Sequence, residues 1–137
     1  MRIIQGILQG RPARLPRLGF WVVDVRDLAA LHIRAMTSPE AAGQRFIAAG
    51  DYMWMEDMAR SLRGSMGAAA AKVPTKRMPN FAFRIASRFT PQLRFFTPEL
   101  GRKMDLRSDK ARRVLGFSPR PAATTVVECA ESLPSFT

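Results

Sequence analysis

The stretch FWVVDVRDLAALHIRAM, Phe20 to Met36, holds two periodicities back to back. Phe20 to Val25 is a short run of aromatic and β-branched residues, too short for a helix, and reads as a strand. Asp27 is placed to cap a helix in which Leu28, Leu31, His32 and Ala35 recur at i, i+3, i+4 and i+7. Thr37-Ser38-Pro39 stops that helix.

The same rhythm returns downstream. Gln44 to Ala49, bounded by Gly43 and Gly50, reads as a second strand. A second helix carries Met55, Met58, Ala59, Leu62 and Met66 on one face and ends at Gly67. Strand, helix, strand, helix with short links predicts a parallel α/β unit. Beyond it, Ala68 to Ala71 is a small-residue linker and Lys72-Val73-Pro74 reads as a brief edge strand. A helix is expected over Asn80 to Phe89, with Phe81, Ile85 and Phe89 at four-residue steps and Pro91 ending it. Ser108 is the expected cap of a short helix closed by Gly116, and Pro121 opens a last helix with Val126, Ala130 and Leu133 on one face.

Composition bounds the function classes. At 137 residues and 47% hydrophobic, the chain suffices for one small domain or part of a larger one. No apolar run approaches the roughly 20 residues of a membrane-spanning helix, and the N-terminus lacks a small-residue cleavage site. Cys129 is the only cysteine, so no disulfide framework forms within one chain, and a cytoplasmic location is the expectation. The formal net charge is +11, concentrated in residues 72–120 with 13 Lys/Arg against three acids. Such a basic half fits nucleic acid, an anionic surface, or simply a solvated arginine-rich face. Without zinc-finger spacing or an aromatic-basic single-strand platform, nucleic acid is not the expected partner.

The order of segments resembles the C-terminal part of an extended short-chain dehydrogenase/reductase, of the NAD-dependent epimerase/dehydratase family and its dihydroflavonol-reductase-like members. FWVVDVRDLAALHIRAM (20–36) resembles the strand-turn-helix that comes after the main sheet of that family, and PEAAGQRFIAAG (39–50) its next strand. SDKARRVLGFSPR (108–120) is similar to the late helix ending in Leu-Gly-aromatic-x-Pro, and Gly6 to Gly10 to the end of the preceding helix. The resemblance implies an α/β fold: the C-terminal part of a Rossmann-type protein, short parallel strands with several helices, its nucleotide-binding half absent. Residues 1–50 would supply the last sheet-associated strands and a helix, and residues 51–137 a mostly helical substrate lobe. In the family's pattern the chain would run straight through Met1, so truncation is expected.

The family's machinery is missing here. No Gly-rich turn succeeds a strand, and Gly64-x-x-Gly67 comes after a helix instead, as a terminating pair does. Tyr52 is the only tyrosine, and Glu56 stands where the lysine of a Tyr-x-x-x-Lys pair would be. No catalytic residue and no cofactor bound by this chain alone are therefore expected, NAD(P) belonging to the parent family. His32 is expected in the core or an interface, and Cys129 as a small buried hydrophobe. Asp51, Glu56 and Asp57 fit a helix N-terminus better than a metal site.

Ligands in α/β sheets lie beyond the carboxyl ends of strands, which points to the Asp24-Val25-Arg26-Asp27 turn. Arg26 there either forks onto a substrate carboxylate or phenolate, or pairs locally. Phe20 and Trp21 stand where sugar-nucleotide epimerases of the wider family carry an Arg-Asp pair, so the resemblance implies a less polar ketone, aldehyde, or flavonoid- or steroid-like substrate. Phe20, Val22 and Arg26 are the substrate-facing candidates, with Phe81 to Phe96 a suitable pocket wall. The expected partners are the missing N-terminal Rossmann portion or a second copy docked through the exposed strand. The alternatives are a non-catalytic small-ligand module and a binder of nucleic acid or anionic surfaces.

Overall fold

The computed structural model of the chain describes residues 2–133. Helix α1 (Arg2–Leu8) leads to strand β1 (Gly19–Val22) and helix α2 (Val25–Thr37). Strand β2 (Asp51–Trp54) runs straight into α3 (Met55–Met66), and beyond it come α4 (Asn80–Phe89), the short α5 (Pro91–Arg94), α6 (Asp109–Leu115) and α7 (Ala122–Glu131). The α/β class and the helices expected around Met55, Asn80, Ser108 and Pro121 are all present.

The pairing direction differs from expectation. β1 and β2 form one antiparallel pair, with Phe20 opposite Met53, Trp21 opposite Tyr52 and Val22 opposite Asp51. The chain leaves β1 at Val22 and comes back at Asp51, directly across from it. A strand that starts where its neighbour ends can only run the opposite way. Residues 44–49, read as a strand, form none among the described residues. Phe46 and Ala48 pack against the α2–α6 cluster while Arg45 and Ile47 are exposed. The alternation of a strand is there, but no neighbouring strand supplies a hydrogen-bond ladder. Lys72-Val73-Pro74 is likewise no strand; a single parallel bridge joins Leu15 to Arg77 nearby.

Two apolar clusters hold the elements. The larger joins α1 (Ile7, Leu8), β2 (Met53), α3 (Met58, Ala59, Leu62), α4 (Phe83) and α7 (Val126, Ala130). Because α1 packs on α3 and α7, both ends of the chain share this core. The smaller cluster brings Leu31 of α2 against Ala111 and Leu115 of α6 and Phe117. In α4 the buried aromatic is Phe83, between the steps of the Phe81-Ile85-Phe89 stripe, which faces outward. Gly116 closes α6 in the left-handed conformation, φ 61°. Gly67 ends α3 as expected, whereas Gly64 lies within that helix.

Candidate functional site

The outer face of the strand pair is an aromatic ladder. Alternation along β1 and β2 sends Phe20, Val22 and Met53 toward the core, and Trp21, Tyr52 and Trp54 to the opposite face. Trp21 meets Tyr52 edge-on at 5.5 Å between ring centroids, and Tyr52 meets Trp54 at 5.1 Å. A Cβ at Gly19 would overlap the far end of the Tyr52 ring, so a larger residue there would push Tyr52 out of the ladder.

The segment after Leu100 is strapped over this ladder. Trp21 Nε1 donates to the Met104 carbonyl at 2.9 Å, and the Tyr52 hydroxyl to the Arg102 carbonyl at 3.0 Å. Lys103 Nζ sits 5.5 Å from the Trp21 ring and 5.3 Å from Tyr52, close enough for cation–π attraction. Between ladder and strap lies a cavity of about 570 Å³, bordered by Phe20, Trp21, Tyr52, Glu99, Lys103 and Met104. That is the size of a small-molecule site, mostly apolar with a few polar groups. Burial, with Glu99 adding to it, pushes the Tyr52 phenol above its ordinary pKa. Tyr52 therefore stays protonated at neutral pH and donates its hydroxyl hydrogen to the Arg102 carbonyl.

A second cavity of about 490 Å³ lies at the N-terminus of α2, beside Asp24, Arg26, Thr125 and Cys129. Asp24, not Asp27, caps the helix: its Oδ1 accepts from the Arg26 amide at 2.9 Å. The Arg26 fork closes on Asp24, at 2.8 and 2.7 Å, and reaches Glu128 of α7. Asp27 instead accepts from Arg120, side chain and backbone, at 2.8 Å each. Five charged groups thus tie α2, α7 and the segment before Pro121 together, and the local-pairing reading of Arg26 describes the geometry.

These pairs carry a pH signature. The Arg26 guanidinium holds the nearly buried Asp24 carboxyl well below the usual carboxylate range, against the opposing effect of burial. Arg120 lowers Asp27, and Arg77 lowers Glu56, in the same way. A carboxylate whose folded pKa is depressed stabilises the fold fully above its unfolded pKa of about 4 and loses that contribution as pH falls toward the folded value. Unfolding free energy in urea is thus expected to be flat from pH 7 to about 5 and to fall steadily below it. A profile unchanged down to pH 3 would contradict the arrangement. Glu56–Arg77 adds little, since Arg77 is 58% exposed.

The remaining sequence candidates occupy separate places. Phe20 borders the larger cavity, while Val22 packs on the core and does not. Among the described residues, none of 81–96 borders that cavity, which is closed by the strap beyond Leu100. His32 is exposed rather than in the core, its Nδ1 2.8 Å from the Leu28 carbonyl oxygen. Cys129 is half-buried at the rim of the second cavity. Asp51 accepts from the amide of Ala122 at the start of α7, Glu56 pairs with Arg77, and Asp57 with Arg60. Among the described residues no three of His, Cys, Asp or Glu gather as a metal site. Sequence reading missed Lys103 and the ladder. The alternation of Tyr52 and Trp54 was a usable strand signal, but nothing local to Lys103 points at Trp21.

Comparison with known proteins places this geometry. Over 97% of its length the chain superposes on yeast methylglyoxal/isovaleraldehyde reductase Gre2 complexed with NADPH, at a TM-score of 0.67 and 23% identity, covering 39% of that protein. Gre2 from Candida albicans gives 0.65 and 21%, with 95% and 37% covered. The chain has the fold of the C-terminal portion of an extended short-chain reductase. In sequence it is 38% identical over 58 residues to ketoreductase nvfG of Aspergillus novofumigatus, 41% of this chain and 17% of that one. It is 32% identical over 71 residues to ketoreductase azaE of Aspergillus niger, 52% and 20%. The matched stretches thus span a fifth or less of these curated relatives, and the chain about two-fifths or less of the solved reductases. No family model matches the chain. No helix among the described residues is long and apolar enough to cross a membrane.

Proposed function

We propose that this chain forms the substrate side of an NAD(P)-dependent reductase acting on an apolar ketone or aldehyde, with cofactor and the proton-transferring tyrosine supplied by a Rossmann-type portion packed against it. The observation that carries this reading is an uncovered apolar flank beside a strand-like segment without a ladder. On α2, Leu31 and Ala35 pack into the smaller cluster, while Val25 (75% exposed), Ile33 (63%) and Met36 (85%) face out, and Ile47 of the strand-like segment is exposed as well. A helix apolar on two sides calls for cover on both. The outer side of α2 and residues 44–49 are where the remaining sheet would dock.

This chain's own residues do not fit a dinucleotide. At the strand-to-helix turn where a pyrophosphate would meet backbone N–H groups, the Asp24 carboxylate already accepts from the Arg26 amide, and Asp27 adds a second negative charge. NAD(P) is therefore assigned to the partner portion. The cavity between ladder and strap supports an apolar carbonyl compound of flat shape, stacked on Trp21 and Tyr52, with Lys103 beside its polar end.

A chimera tests the reading: the C-terminal portion of yeast Gre2 is replaced by this chain. The chimera is expected to oxidise NADPH in the presence of apolar ketones or aldehydes, and Trp21→Ala to raise KM at least about tenfold. A chimera that folds and binds NADPH but reduces no carbonyl compound would overturn it. The chain alone is expected to self-associate, and the double change Ile33→Glu with Met36→Glu to return it to monomer by sedimentation velocity.

A further inference from the structure

Helix α4 carries a second unpartnered face, remote in character from the α2 flank. Phe81, Ile85 and Phe89 succeed one another at four-residue steps, and they are 68%, 56% and 83% exposed. Phe95, just after α5, is 83% exposed as well. At about 100° per residue, the stripe lies opposite the buried Phe83, and Arg84 and Arg88 flank it on one side. Both arginines and Arg94 are exposed, and among the described residues no acidic side chain pairs with them.

Along the sequence the charge on either side of α4 is one-sided up to Glu99, which ends the turn Thr97–Glu99 packed on α4. From Met58 to Pro98 there is no acidic residue, while Arg60, Arg63, Lys72, Lys76, Arg77, Arg84, Arg88 and Arg94 are all basic. Glu56 and Asp57 neutralise only Arg77 and Arg60. A helix whose outward face is a phenylalanine-isoleucine ridge beside arginines has the chemistry of an element lying in a membrane interface. The ridge enters the acyl boundary and the guanidinium groups reach anionic headgroups. A second copy of the chain is a poor occupant, since it would press like-charged arginines together. Single-stranded nucleic acid is bound in grooves with stacking platforms, whereas this stripe is centred on an aliphatic side chain, Ile85.

We propose that the α4 face, Phe81-Ile85-Phe89 with Arg84 and Arg88, docks the protein on an anionic lipid surface. It is independent of the α2 flank and of the reductase reading, so it stands or falls by its own test. The full chain is sedimented with phosphatidylcholine vesicles, with and without phosphatidylserine, at low and high salt. Binding is expected only where phosphatidylserine is present, and it weakens with salt. Arg84→Glu with Arg88→Glu is expected to lower affinity at least about 25-fold, about fivefold for each arginine near the surface. Arg112→Glu with Arg113→Glu on α6 makes the same charge change and is expected to alter affinity several-fold less. Ile85→Ser with Phe89→Ser, which leaves the charge untouched, is expected to cost at least about tenfold.

All of these positions are exposed, so circular dichroism should report an unaltered fold. A Phe89→Trp variant adds a direct readout: its extra fluorescence, relative to the parent, is expected to be quenched by brominated acyl chains. Equal binding to phosphatidylcholine alone, equal loss from the α6 and α4 charge reversals, or no quenching would overturn the proposal. So would displacement of the chain from vesicles by a single-stranded oligonucleotide whose binding requires Ile85 and Phe89.

Discussion

Gly50→Ala is expected to destabilise the fold by roughly 3 kcal/mol, the upper part of the range for overpacking a filled site. A Cβ at residue 50 would overlap the Val22 carbonyl oxygen, a backbone atom in the ladder partner of Asp51. A side chain in that position could swing aside, but Val22 is held by its pairing across the sheet. The chain would have to re-enter β2 along another path, carrying Tyr52 out of register with Trp21. Urea unfolding monitored by tryptophan fluorescence checks this. Gly64→Ala is the internal comparison, because a Cβ there meets nothing within 4 Å and α3 gains a better helix former. Stability within about 0.5 kcal/mol of wild type for Gly50→Ala would mean that the close approach at Val22 is not maintained.

The second large effect is expected at Asp24, whose carboxylate is 5% exposed and satisfies several donors at once. Asp24→Ala removes the cap of α2, worth about 1 kcal/mol, and the charge-assisted bonds to Arg26, worth about 1.5–3 kcal/mol when buried. Arg26 is 54% exposed and can turn to Glu128 and water, so the expected total is about 2–3 kcal/mol rather than the full sum. For a chain of this length that is a fall in Tm of roughly 10 °C. Asp24→Asn keeps a capping oxygen and should lose less than the alanine variant; the gap between the two reports the cap, and the loss from wild type to Asp24→Asn reports the ionic part. If both variants melt with wild type, the Asp24–Arg26 pair has no structural role.

The range of each interaction set which parts of this protein were legible in its sequence. Helices α3, α4, α6 and α7 were legible because their spacing, caps and stops are local: Met55-Met58-Leu62, Asn80 to Phe89, Gly116 and Pro121 each announce themselves within a turn or two. The α/β class and the likeness to the C-terminal part of a short-chain reductase rested on the order of such segments, and the superposition bears them out. Tertiary structure decided what depends on a distant partner. The direction of the strand pair was set by the chain's return to Val22 at Asp51, and residues 44–49 could not be a strand without a neighbour beside them. Asp24 is the cap because α2 begins at Val25, which leaves Asp27 inside the first turn, where Arg120, 93 positions away, takes it. The cavity joins Trp21 and Tyr52 to Lys103 across half the sequence. Periodicity shows that an α4 stripe exists, but only packing tells which side is covered. Phe83 took the inside, and the stripe of Phe81, Ile85 and Phe89 was left to the solvent. Local propensity is written in neighbouring residues, whereas burial, pairing and charge compensation depend on what the rest of the fold brings alongside.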